Sequence, residues 1–122
     1  MVKEILYIGA GGFIGSVLRY LISQLMKQTG DGLPWGTLTV NLLGCLLIGV
    51  LGGLISKNGN ISHNLVLFLT VGLCGGFTTF STFSKEALLL LQNGYYLSFI
   101  GYIATSVILG VLAVAFGLLI TK

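Results

Sequence analysis

Hydrophobic residues in this chain gather into four long runs, and polar residues collect in the short stretches between them. The pattern predicts helices over 4–26, 36–56, 65–92 and 96–121. Each is near the ~20 residues needed to cross the hydrocarbon of a bilayer. The first run is interrupted only by Arg19 and a few small polar residues, and a turn with Asp31, Gly32 and Pro34 leads to the second. The polar stretch 56–64 leads to the third. Such short linkers make neighbouring helices antiparallel and leave no room for a soluble domain, so the expected organisation is a single transmembrane domain, 1–122. The first run is longer than the ~7–15 residues of a signal-peptide core, and it is read as a retained membrane helix.

Composition agrees. Hydrophobic types make up 55% and charged types 7% of the 122 residues, against about 25% charged in a soluble domain. A water-exposed globule of this size needs more charge, so lipid is the expected solvent. The net charge of +3 is scattered near helix ends, which is no nucleic-acid footprint. If the N-terminus is cytoplasmic, Lys3, Lys57 and Lys122 fall on that side and Arg19, Lys27 and Lys85 lie toward the other. Three against three gives the positive-inside rule no preferred orientation. A chain so balanced inserts both ways, and two copies then pair antiparallel about a two-fold axis in the membrane plane. Cys45 and Cys74 sit in apolar runs without a CxxC partner, and are read as small buried hydrophobes with no metal or redox role.

Glycine is abundant at 19 residues, and Gly11/Gly15, Gly49/Gly53 and Gly72/Gly76 are each four apart. That spacing lets membrane helices pack closely. Gly9, Gly12 and Gly15 also resemble the glycine fingerprint of a dinucleotide-binding enzyme. The context excludes it: no second strand ending in an acid follows at about 20 residues, and Asp31 sits in a turn. A small dual-topology secondary transporter of the multidrug-exporter type is the alternative reading. It needs a carboxylate in mid-membrane on the first helix, whereas Glu4 is at the extreme N-terminus and Glu86 near one end of the third.

The third run carries the chemistry. It reads VGLCGGFTTFSTFSKE from Val71 to Glu86, a sequence that winds poorly as a helix. Glycine costs about 1 kcal/mol relative to alanine, and serine and threonine also propagate a helix weakly. A helix break near mid-membrane is expected at about Gly75 to Thr79. Backbone broken at membrane depth must be satisfied by protein, water or an ion, and freed carbonyls suit a hard cation such as Na⁺. Beyond the break, Phe80 and Phe83 share a helix face; Phe77 is in phase but inside the expected break. Aromatic rings have a positive edge, which attracts a small anion without trapping it, as conduction requires. Hydroxyls of Ser81, Thr82 and Ser84 can donate alongside. Asn41, deep in the second run, is either an interhelical tie or a pore-lining amide. Arg19, toward the end of the first, either snorkels to the head groups or attracts anions into a vestibule. Tyr102 and Ser106, four apart on the last run, extend the hydrogen-bonding stripe.

Together these residues resemble the Fluc/CrcB family of fluoride channels. The matching pieces are GGFIGSVLRY, WGTLTVNLLGCLLIG and GLCGGFTTFSTFSKE, and the likeness covers essentially the whole chain. The resemblance implies a multi-pass, non-enzymatic protein of the cell (plasma) membrane, in a bacterium the inner membrane. It implies an all-α antiparallel dual-topology dimer with two pores: a homodimer, or a heterodimer with a paralogue. It further implies that the ring edges of Phe80 and Phe83 contact fluoride and that Asn41 lines the pore. Carbonyls of Gly75 and Thr78 from both subunits would hold a structural Na⁺ at the dimer interface. Ser81, Thr82, Ser84 and Glu86 would follow the permeation route, with Arg19 in the vestibule and Tyr102 and Ser106 on the fourth helix. Gly110, one turn further, supplies no hydroxyl, so that stripe is expected to be shorter here. The implied activity is passive, selective export of cytoplasmic fluoride, conferring fluoride resistance; no nucleotide motif or central proton-carrying acid suggests a pump.

Balanced charge makes a prediction of its own. Two or three lysines added to one end should drive the chain into a single orientation, read by compartment-specific labelling of tagged termini. Termini of the unaltered chain that always report one side would contradict dual insertion.

Overall fold

The computed structural model describes residues 1–26 and 32–121. Lys27, Asp31 and Lys122, which entered the turn and charge arguments, lie outside the described residues. Among the described residues six α-helical elements follow in order: α1 (Val2–Leu25), α2 (Trp35–Lys57), α3 (His63–Leu67), α4 (Gly75–Phe77), α5 (Phe80–Gln92) and α6 (Tyr96–Ile120). A π-helical segment, Phe68–Cys74, joins α3 to α4. Four stretches of the described residues are long and apolar enough to cross a membrane: Val2–Leu25, Trp35–Lys57, His63–Gln92 and Tyr96–Ile120. No strand occurs among the described residues, so the Gly9–Gly12–Gly15 pattern lies wholly inside α1.

Local chemistry sets the ends. The Ser62 hydroxyl accepts from the Leu65 N–H at 3.2 Å and caps α3. At the far end of the span, Gly94 takes φ +82°. That left-handed turn lets the Gly94 N–H reach the Leu91 carbonyl (3.2 Å) and the Tyr95 N–H the Leu90 carbonyl (2.9 Å), closing α5 just before α6 begins. Span ends differ from the expected 4–26, 36–56, 65–92 and 96–121 by a residue or two. The third span is not one helix, and the helix is left at the C-terminal end of the expected stretch Gly75 to Thr79. Gly75–Phe77 complete a helical turn, and only Thr78 and Thr79 leave the helix. The reason is that Gly76 serves close packing rather than unwinding: a Cβ there would stand 2.7 Å from the Gly12 carbonyl oxygen.

Two seams of glycine hold the helices. Along the first, α1 runs parallel to the π-helical segment; a Cβ on Gly72 would lie 2.7 Å from the Ile8 carbonyl oxygen and 3.0 Å from Gly11 Cα. Along the second, α2 and α6 run parallel, and a Cβ on Gly117 would lie 2.6 Å from both the Leu46 carbonyl oxygen and the Val50 nitrogen. All three glycine pairs noted in the sequence face these seams. Backbones so close gain dispersion and weak C–H···O contacts, which drive helix association in lipid where the hydrophobic effect does not. Little else is buried. A cluster of Ala87, Leu90 and Tyr102 joins α5 to α6, while many large apolar side chains face outward, as membrane spans require.

The seams predict opposite outcomes for one kind of substitution. Gly72→Ala should lower the unfolding temperature in detergent, because backbone must move. Gly9→Ala, where an added Cβ meets nothing within 4 Å, should leave it unchanged or raise it, since alanine favours a helix by about 1 kcal/mol.

Candidate functional site

The backbone of Thr78 (φ −88°, ψ 158°) and Thr79 (φ −147°, ψ 120°) is extended between α4 and α5. In an α-helix each carbonyl accepts from the N–H four residues on, so these two residues withdraw the helical partners of the Gly75 and Gly76 carbonyls. Side chains take up the slack. Asn41 of α2 pairs with Thr79 in both directions: its Oδ1 accepts from the Thr79 N–H at 2.8 Å and its Nδ2 donates to the Thr79 carbonyl at 3.1 Å. Arg19 of α1 donates from Nε to the Gly76 carbonyl at 3.0 Å. Thr78 donates from Oγ1 to the Cys74 carbonyl at 3.0 Å, and Thr79 Oγ1 accepts from the Thr82 N–H at 3.3 Å, capping α5. Asn41 thus ties α2 to the break and also lines the groove, and Arg19 reaches across to backbone.

A groove of about 440 Å³ opens at this break. Its walls bring together Asn41 and Cys45 from α2, Gly75, Thr78, Thr79, Phe80 and Phe83 from the third span, and Ser106 from α6. The rings of Phe80 and Phe83 lie 5.8 Å apart, tilted by 46°, and Phe83 continues to Tyr102 at 5.1 Å and 51°. Phe80 is 78% exposed, so one side of the groove lies open. The buried Ser106 Oγ has no hydrogen-bond partner among the described residues, which leaves a donor at the groove wall. Both cysteines are free thiols: Cys74 is buried and Cys45 half-buried. Gly110, where the stripe loses its hydroxyl, lies beside the Cys45 sulfur; an added Cβ would stand 3.5 Å from it, an ordinary contact.

The remaining candidates lie outside these walls. Ser81 and Ser84 are exposed and Thr82 is half-buried on α5. Tyr102 is buried, its hydroxyl 3.5 Å from Glu86 Oε1. The buried Thr37 of α2 joins them, its hydroxyl beside both the Glu86 carboxyl and the Tyr102 hydroxyl. Tyr102 also borders a second cavity of about 330 Å³, with Ser98 and Thr105 in its walls. Sequence reasoning missed Thr37, Ser98 and Thr105. Thr37 lies four residues before Asn41, on the same helix face, and that spacing was the signal for it.

Comparison with known proteins places this architecture. The family described as CrcB-like protein, Camphor Resistance (CrcB), matches residues 6–118. The chain belongs to this CrcB-like family. Among relatives of the CrcB-like chain, one from Phocaeicola vulgatus named fluoride-specific ion channel FluC is 53% identical over 117 residues, covering 95% of this chain and 96% of its own length. Proteins of the same name from Flavobacterium psychrophilum (46% over 121 residues, 98% of each chain) and Azobacteroides pseudotrichonymphae (44% over 123 residues, 100% of this chain and 98% of the relative) are similar to it throughout.

The double tie at Thr79 sets an expected cost. Asn41→Ala leaves a part-buried N–H and carbonyl unpaired, for about 1–3 kcal/mol. Asn41→Asp keeps the acceptor and loses the donor, so it should fall between alanine and the unaltered chain. Equilibrium unfolding in detergent reads that order.

Proposed function

We propose that this CrcB-like chain is a fluoride-selective passive channel that exports cytoplasmic fluoride and so confers fluoride resistance. The observation that carries the reading is the groove at the break, which sets two phenylalanine rings beside an amide and an unpartnered hydroxyl, with no lysine or arginine among the described residues of its walls. Fluoride is small and strongly hydrated, so a pore must replace much of its water. Hydroxyls, an amide and positive ring edges do this through many weak contacts, which keeps the grip moderate enough for release. From the groove, Phe83 leads to Tyr102, Thr37 and Glu86 and on to the second cavity. Ser81, Thr82 and Ser84 supply hydroxyls at the open edge.

The groove is half a pore. Exposed Phe80 and Gly75 lie on its open side, and a second copy laid antiparallel would close it, giving two pathways about a two-fold axis in the membrane. A paralogue in place of the second copy would satisfy the same geometry. The break then lies near mid-membrane in a multi-pass protein of the cell membrane. A structural Na⁺ fits there. Na⁺ takes oxygen ligands, and the Gly75 carbonyl has lost its helical partner Thr79, whose N–H is held by Asn41. Gly75 and Thr78 share the groove wall, and their carbonyls from both copies would hold the ion and so pin the two broken spans together. The multidrug-exporter reading gains nothing: the acid in α1 is Glu4, in its first turn.

Liposomes containing the chain should release fluoride rapidly and chloride hardly at all, without a proton gradient. Phe80→Ile and Phe83→Ile should each reduce fluoride efflux at least a hundredfold while cross-linking still detects dimers. Normal efflux from both variants would remove the aromatic pair from the pathway.

A further inference from the structure

Arg19 makes a contact that a vestibule residue has no need of. Resting on the sodium reading above, we infer that Arg19 is a positioning residue: it holds the turn that carries the cation-binding carbonyls and does not serve as a free charge that draws in anions. Packing brings it there. The backbone of α1 lies directly on the end of the π-helical segment and α4, where a Cβ on Gly76 would stand 2.7 Å from the Gly12 carbonyl oxygen and 3.2 Å from Ser16 Oγ. One turn beyond Gly15, the Arg19 side chain reaches the break. Its Nε donates to the Gly76 carbonyl at 3.0 Å in a part-buried setting. This is the carbonyl that the Phe80 N–H would have closed had the helix continued.

Gly76 lies between Gly75 and Thr78, whose carbonyls face the proposed ion. Fixing the Gly76 carbonyl fixes the plane of the peptide that follows it, and with it the path from Gly75 to Thr78. Asn41 holds the other side of the break through Thr79, so the two side chains clamp the extended residues from two different helices. The donor in use is the inner nitrogen of a planar guanidinium. Lysine keeps the charge but has no nitrogen at that position and cannot reproduce the direction of the bond. Charge and geometry therefore separate in a single substitution.

The full chain is purified in detergent, and Na⁺ is titrated against N-methylglucamine while the unfolding temperature is followed, for the unaltered protein, Arg19→Lys and Arg19→Gln. Fluoride efflux from liposomes is titrated in parallel. A positioning role raises the half-saturating Na⁺ about tenfold in both variants, the equivalent of about 1.4 kcal/mol. Amide hydrogen exchange at residues 75–82 also becomes about tenfold faster, with α6 unchanged. If Arg19→Lys matches the unaltered protein in both measurements, charge alone matters and the inference is overturned. If the unaltered protein is indifferent to Na⁺, the sodium reading fails by itself; exchange at the break in Arg19→Lys still decides the role of Arg19. Should Arg19→Gln fail to fold, Arg19→Lys carries the comparison.

Discussion

Hydrocarbon offers no hydrogen bonds, so any backbone that leaves the helix inside it must find partners in the protein. In this chain two residues, Thr78 and Thr79, leave the helix within a membrane span, and much of the fold serves them. Asn41 reads Thr79 as a strand neighbour would, giving and taking one bond each. Arg19 closes the carbonyl of Gly76. The Thr78 hydroxyl donates back to the Cys74 carbonyl, and the Thr79 hydroxyl accepts from the Thr82 N–H ahead. Both clamps must arrive from other helices at short range: the seam between α1 and the third span brings Arg19 close, and Gly44 of α2, where an added Cβ would meet the Thr78 side chain, lets Asn41 approach. A seam built of leucines would hold α1 too far out for Arg19 to reach.

The same constraint shapes the groove. Satisfying the break with side chains from α1 and α2 leaves the opposite side of the backbone unclad, and there Gly75 and Phe80 are exposed. That face carries aromatic and polar groups, which lipid covers poorly. The proposed dimer resolves this by making the uncovered side of one chain the wall of the other. The route it creates is built from dipoles and ring edges, which suits an ion that must be stripped of water and then let go.

Much of this is legible in the residues. Glycines four apart announce the two seams, and every pair named from the sequence faces one. The run of glycine, threonine and serine after Val71 announces that regular winding fails. It places the failure within Gly75 to Thr79 but does not say which of those residues unwind: glycine by itself points to a helix breaker, whereas Gly75 and Gly76 remain helical and Gly76 is needed for contact with α1. What unwinds Thr79 is less its own propensity than the competing pair of bonds that Asn41 offers, and such competition depends on a partner distant in sequence. Arg19 shows the same limit. A cation near the end of an apolar run ordinarily snorkels, and only the placement of Gly76 beside it reveals another partner. Thr37 is legible from its spacing to Asn41, but no local pattern ties it to Glu86 and Tyr102.

Sequence alone determined the solvent, the number of spans and the small-residue faces on which they pack, because these follow from composition and period along one strand of chain. It also pointed to the stretch proposed for the ion route, since alcohols interleaved with phenylalanines in an apolar span gain nothing from lipid and suit a polar path. Tertiary structure decided which backbone groups lose their partners, which side chains replace them and which polar residues meet across helices. Those outcomes depend on distances between segments far apart in sequence, and a small shift at a glycine contact settles whether a clamp reaches its carbonyl.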